Sequence, residues 1–251
     1  DAVSRRGNHS AVSKVSVVDG YIVLTQQFTE DDYYCGSAVV IGVQGAGAQA
    51  ELANESTSRL MLRPGGGPFT VYIATAASFD AREDLVAAAM KKLRAAEGEG
   101  FERMLAAHKT WWHHFWEKGF IQLHSADGVA DNVEKYYTYY LYVMASSSRG
   151  KYPTKFNGML WSTGGDTRQW GALYWGANQS CLYNALFASN RLDLLRPMFD
   201  MYTGMSERCA LAARQQWGSK GIYIPETVGF DGPDSLPEDI AREMRALYLV
   251  Q

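Results

Sequence analysis

Residues 157–200 contain the densest group of side chains that could do chemistry. Aromatic rings, amides and one acid–base pair surround a glycine-rich turn, namely Asn157, Trp161, Asp166, Arg168, Trp170, Trp175, Asn178 and Gln179. A sugar ring offers C–H faces that stack on aromatic rings and hydroxyls that need fixed hydrogen-bond partners. The pattern therefore predicts a carbohydrate-binding cleft. The alternative is a buried helix hairpin, because aromatic rings more often pack than bind.

Structural roles compete with sugar binding at several of these positions. Asp166 and Arg168 could instead form an ion pair with each other or cap a helix. Asn157 and Trp161 flank a glycine and are interpreted as one wall of the pocket, although asparagine is also a common turn residue. Both alternatives stay open from the sequence alone.

The long loop after Trp217 contains two further candidates, Glu226 and Asp231. Glu226 follows a proline, which restricts the chain there to an extended conformation. As a general acid for glycoside hydrolysis, Glu226 would need a raised pKa and, for inversion, a partner group about 6.5–9.5 Å away. Substrate binding or hydrogen bonding within the loop is the alternative role. Asp231 is expected to contact substrate.

Composition argues against two classes of partner. The 251-residue chain has a net charge of -3 and its lysines and arginines are dispersed, so we expect no nucleic-acid partner and no anionic membrane surface. Every apolar segment is shorter than the ~20 residues that span a bilayer. A carbohydrate is the expected ligand.

No metal or cofactor is expected. The cysteines Cys35, Cys181 and Cys209 are widely spaced and odd in number, which indicates neither a disulfide framework nor a zinc site. His108 and His113 are five residues apart, so they do not share a helix face in the way that i, i+4 metal ligands do.

The order of segments predicts an α+β chain with several domains. Residues 11–79 contain about five short strands without helices between them, which is typical of antiparallel sheet and of part of a sandwich. Asp19-Gly20 predicts a hairpin there. Residues 80–120 predict two linker helices, the first capped by Asp80.

Residues 121–251 predict four helices with alternating long and short connections. The first covers residues 133–147. The second begins near Gly171 and is closed by Asn190. The third covers residues 192–217. The fourth begins at Pro237 and is still helical at the last residues, RALYLVQ. Since the chain starts without methionine and stops within this helix, we expect a piece of a longer protein.

This order resembles the six-hairpin glycosidases, specifically the family 95 α-L-fucosidases and the family 65 phosphorylases and hydrolases, and more narrowly a bacterial branch of that superfamily. The resemblance is carried by AAHKTWWHHFWEKGFIQL, YTYYLYVMASSSRG, KFNGMLW, YWGANQSCLYNALFASN and YIPETVGFDG. It implies a β-sandwich portion in residues 1–79, a helical linker in 80–120 and an incomplete (α/α)6 barrel in 121–251. It also implies hydrolysis of a glycosidic bond with inversion.

Residue by residue, the resemblance is incomplete. Trp175 matches the aromatic residue before a polar cluster in the phosphorylases. Asn178 matches the second of two asparagines that hold the catalytic water in the fucosidases, whereas the first falls on Gly176, so fucosidase chemistry in its known form is not expected. The family's general acid would lie beyond Gln251, which makes the remainder of the barrel an expected partner of this segment.

Three other functions stay open. A glycan-binding protein without catalysis would explain the glycine at position 176. A glycoside phosphorylase would need an anion site, for which Arg168 is the candidate. A helical scaffold unrelated to carbohydrate predicts that the aromatic residues point into a helix interface.

Overall fold

The computed structural model describes residues 4–5, 9–30, 33–45, 47–63, 66–155, 173–233 and 248–250. The chain divides into two compact units, Asp1–His113 and His114–Gln251. An antiparallel sheet region precedes the helices, so the chain has the predicted α+β character.

The first unit is built on a four-stranded antiparallel sheet. Its described strands are β1 (Ser4–Arg5), β2 (His9–Ser10), β3 (Val12–Val18), β4 (Tyr21–Glu30), β5 (Tyr33–Gly45), β6 (Gln49–Asn54), β7 (Thr57–Met61) and β8 (Phe69–Ser78). The sheet has the order β3-β4-β5-β8, while β1-β2 and β6-β7 form separate hairpins.

The turn between β3 and β4 confirms the hairpin predicted from Asp19-Gly20. Both residues have positive φ, 51° and 83°. A type I′ turn requires this at both central positions, and its twist matches that of the flanking strands. The local sequence therefore sets the register, in which Val18 lies opposite Tyr21.

One face of the sheet is covered by a helix, α1 (Leu85–Glu99). The core between them contains alternate strand residues and one stripe of the helix, namely Val23, Ala38, Val40, Tyr72, Ala74, Ala76, Leu85, Ala89, Met90 and Leu93. On the opposite face, Val71 and Ile73 of β8 are 47% and 66% exposed. This alternation follows from the two-residue period of a strand.

The predicted helix cap was wrong by four residues. Asp84 caps α1, and its carboxylate accepts a hydrogen bond from the N–H of Ala87 at 2.9 Å. Asp80 instead accepts from the backbone N–H and the guanidinium of Arg82. A second helix, α2 (Phe101–Glu117), follows, and the boundary between the two units falls inside it.

The described part of the second unit is mainly helical. Its described elements are α3 (Val129–Ser147), β9 (Tyr174–Trp175), α4 (Gly176–Ala188), a 3₁₀ turn (Leu192–Leu195), α5 (Arg196–Gly204), α6 (Ser206–Trp217), β10 (Ile222–Ile224), β11 (Thr227–Val228) and β12 (Tyr248–Val250). No helix in the described ranges combines the length and the hydropathy needed to cross a bilayer.

All four predicted helices of residues 121–251 differ in the structure. The first begins at Val129, four residues before its predicted start. The second predicted helix begins at Gly176, because Tyr174 and Trp175 pair as a strand with Thr227–Val228. The third is broken into the 3₁₀ turn, α5 and α6. The predicted start of the fourth helix, Pro237, lies outside the described residues. Near the predicted end of that helix, Tyr248–Val250 form a strand with Ile222–Ile224 and are not helical. Asn190 does adopt the predicted left-handed conformation, with φ 56°.

Candidate functional site

A short two-stranded ribbon brings two of the predicted site residues together. Tyr174 pairs with Val228, and Trp175 pairs with Thr227. The ribbon continues in a hydrogen bond of 2.7 Å from the N–H of Gly176 to the carbonyl oxygen of Glu226. Trp175 and Glu226, which are far apart in the sequence, therefore lie at the first turn of α4.

The side chains at this turn have the types that a sugar-binding site uses. Trp175 precedes the first residue of α4 and is partly exposed, and Glu226 is also partly exposed. Asn178, in the first helical turn, is exposed. An aromatic ring, an amide and a carboxylate thus have access to solvent around one helix start. This arrangement can stack on a sugar face and hydrogen-bond to its hydroxyls.

The ribbon rests on an apolar cluster. Its buried members are Tyr174, Met201, Met205, Cys209 and Val228. Burial raises the pKa of the Tyr174 hydroxyl and of the Cys209 thiol, so both stay neutral at physiological pH. The cluster thus buries the ribbon residues next to Trp175 and on the strand that follows Glu226.

Gln179 lies inside the protein. It is 2% exposed. Its Nε2 donates to the carbonyl oxygen of Thr154 at 3.2 Å, and its Oε1 accepts from the hydroxyl of Tyr202 at 2.8 Å. Since both polar atoms of the amide have partners within the second unit, Gln179 fixes the position of the chain at Thr154. The predicted sugar contact at Gln179 has no support in this geometry.

Tyr183 completes the attachment of Thr154 to α4. Its hydroxyl oxygen accepts from the N–H of Thr154 at 2.9 Å and lies 2.6 Å from Oγ of Ser148. Ser148 in turn donates to the carbonyl oxygen of Leu194 at 2.9 Å. Sequence reasoning missed Tyr183, although its spacing of four residues from Gln179 places both side chains on one face of α4.

Asp231 forms an ion pair with Arg208 of α6. Arg208 also donates to the backbone carbonyl oxygen of Asp231 at 3.4 Å. A substrate hydroxyl would thus have to compete with the guanidinium of Arg208 for the carboxylate of Asp231. Sequence reasoning did not single out Arg208, which lies 23 residues away in the chain.

The rest of the predicted cleft is not described. Asn157, Trp161, Asp166, Arg168 and Trp170 lie outside the described residues. Predictions of pocket walls, sugar contacts and an anion site at these positions stay predictions.

A cleft of about 460 Å³ lies on the second unit. Its described lining belongs to α6 and consists of Glu207, Arg208, Ala210, Leu211 and Arg214. Trp175 and Glu226, both within the described ranges, are not part of this lining. Over the same ranges, the His, Cys, Asp and Glu side chains form no group of three that could hold a metal ion.

Comparison of the sequence with protein-family models and with curated proteins finds no match.

Proposed function

We propose that the intact protein is a carbohydrate-active enzyme that hydrolyses a glycosidic bond of an oligo- or polysaccharide with inversion. In this proposal it is a six-hairpin glycosidase. The sheet of the first unit is part of a β-sandwich, and the helices of the second unit are part of an (α/α)6 barrel. The observation that carries the proposal is the β9–β11 pairing, which puts Trp175 and Glu226 at the start of α4.

Each residue has a proposed role in this site. The ring of Trp175 stacks on a sugar face, and the amide of Asn178 hydrogen-bonds to a hydroxyl. Glu226 is the candidate general acid that protonates the leaving oxygen, a role that the resemblance alone would give to a residue further along the barrel. Inversion also needs a second group that activates water about 6.5–9.5 Å from the acid.

Turnover of aryl glycosides and oligosaccharides by the intact protein tests the proposal. We expect Glu226→Gln to lower kcat by about 10²- to 10⁴-fold, the usual contribution of a general acid. Trp175→Ala should chiefly raise KM, because stacking contributes to binding before the reaction. Glu117→Gln, at an exposed carboxylate in the same unit, is the matched control.

Two results would contradict the proposal. The first is a wild-type protein that turns over no sugar of the panel and gains no thermal stability from any of them. The second is a Glu226→Gln variant with the same kcat as the Glu117→Gln control, which would remove Glu226 from the mechanism.

Glycan binding without cleavage is the second candidate, and Gly176 favours it. Glycine has no side chain to hold a nucleophilic water, and the N–H of Gly176 is bound to the carbonyl oxygen of Glu226. A binding protein would show sugar affinity and no turnover, and Glu226→Gln would retain that affinity. Turnover that requires inorganic phosphate would instead identify a phosphorylase, with Arg168 as its proposed anion contact.

A further inference from the structure

The segment from Pro225 to Gly232 is attached to the second unit at both ends. At its beginning, Glu226 accepts the hydrogen bond from Gly176, and Thr227–Val228 pair with Tyr174–Trp175. At its end, Gly229 and Gly232 form an antiparallel bridge that closes a tight turn, and Asp231 in this turn forms an ion pair with Arg208 of α6. Glu226 is therefore held by the first attachment, and the turn is held by the second.

Arg208 makes the second attachment. Its Nη1 donates both to the carboxylate and to the backbone carbonyl oxygen of Asp231. The side chains of Arg208 and Asp231 are 45% and 28% exposed, so solvent screens this pair less than a fully exposed one. Because one guanidinium contacts both the side chain and the backbone of Asp231, it fixes the path of the turn.

Gly232 brings the turn directly against α6. Its φ of +116° favours glycine, and it is buried. A Cβ at this position would lie 3.1 Å from Cβ of Arg208 and 3.4 Å from Cβ of Met205. The turn therefore contacts α6 in two ways, through the backbone of Gly232 and through the Arg208–Asp231 ion pair.

We propose that Arg208 is a positioning residue for Glu226. By clamping Asp231 onto α6, Arg208 keeps Thr227–Val228 paired with Tyr174–Trp175 and thereby keeps Glu226 at the start of α4. Asp231 belongs to this clamp and does not bind sugar. The inference rests on the function proposed above for Glu226.

The test compares Arg208→Ala, Arg208→Lys and Arg196→Ala in the intact protein. Arg196→Ala is the matched control, because it removes an exposed ion pair with Asp200 elsewhere in the second unit. Two quantities are measured: amide hydrogen exchange in residues 222–233, and kcat and KM on the most active aryl glycoside.

We expect exchange in residues 222–233 to be about fivefold faster in Arg208→Ala, the effect of losing an ion pair at the upper end of the range for exposed pairs. We expect kcat to fall about 10- to 100-fold with little change in KM, because a misplaced acid affects the transition state. Arg208→Lys should recover part of both losses, since it keeps the charge. Arg196→Ala should match the wild type.

The failures can be told apart. Unchanged exchange in Arg208→Ala overturns the clamp, and faster exchange with unchanged kcat overturns the positioning of Glu226. An Arg208→Lys variant as impaired as Arg208→Ala overturns the ion pair as the cause. A wild-type protein without turnover overturns both the proposed function and the positioning role of Arg208. If amide exchange is nevertheless faster in Arg208→Ala, the attachment of the turn through the Arg208–Asp231 ion pair still stands.

Discussion

Replacing Gln179 by leucine removes the amide that joins α4 to Thr154 and Tyr202. The leucine side chain is of similar size and apolar, so the main loss is the two hydrogen bonds of 3.2 Å and 2.8 Å. Thr154 is 5% exposed, and its carbonyl oxygen would be left without this donor in the interior. Tyr202 is only partly buried, so its hydroxyl can turn to water.

The expected loss of stability depends on whether each partner of Gln179 can reach water once the amide is removed. A buried acceptor without a donor costs about 1–3 kcal/mol, and a lost hydrogen bond whose partner reaches water costs about 0.5–1.5 kcal/mol. We therefore expect Gln179→Leu to lower the free energy of unfolding by about 2–4 kcal/mol. Asn178→Leu is the matched control one residue earlier, where the exposed side chain should change stability by less than about 0.5 kcal/mol.

Urea denaturation followed by circular dichroism measures both variants. The midpoint of Gln179→Leu should fall while the denaturant dependence stays close to that of the wild type, as expected for a change in stability alone. The reasoning is refuted if Gln179→Leu is as stable as Asn178→Leu. That result would mean that the buried amide does not hold Thr154 in solution.

Two further predictions concern other buried groups. The guanidinium of Arg191 is fully buried, lies 4.3 Å from the ring centroid of Phe115 and donates to the carbonyl oxygen of Gly119. We expect Arg191→Lys to lower the free energy of unfolding by about 2 kcal/mol, because an ammonium does not reproduce this planar stacking. An equal loss in the exposed control Arg196→Lys would contradict this prediction. Burial raises the pKa of Tyr140 from 10.0 to about 12. As the pH rises, Tyr140 therefore ionises first in the unfolded state. Its contribution to the free energy of unfolding is complete below pH 10 and is lost as the pH rises towards 12. In alkaline denaturation Tyr140→Phe should remove part of this loss, and an unchanged pH profile of stability would contradict the assignment.

Features that depend on neighbouring residues could be predicted from the sequence. The Asp19-Gly20 hairpin needs two adjacent residues that tolerate positive φ, and Asn190 needs only its own tolerance of the left-handed region. The alternating pattern of β8 similarly reflects the strand period. Each of these signals lies within a few residues of the structure that it specifies.

Features that depend on residues distant in the sequence could not be predicted from it. The start of α4 is displaced to Gly176 because Trp175 pairs with Thr227, a partner that local propensity does not reveal. A glutamine side chain can hydrogen-bond to a sugar or to other groups in the protein interior equally well. Only the positions of Thr154 and Tyr202 decide between these roles for Gln179. Arg208 and Asp231 meet across 23 residues for the same reason.

The uncovered side of β8 has a practical consequence for preparing the first unit by itself. Phe69, Val71 and Ile73 are 50%, 47% and 66% exposed and follow one another on the same side of a strand that contains no charged residue. Such a surface favours self-association at the concentrations used for crystallisation or NMR. Ile73→Lys, at the most exposed position of this row, should keep the isolated unit in solution without disturbing Tyr72 and Ala74 on the opposite side.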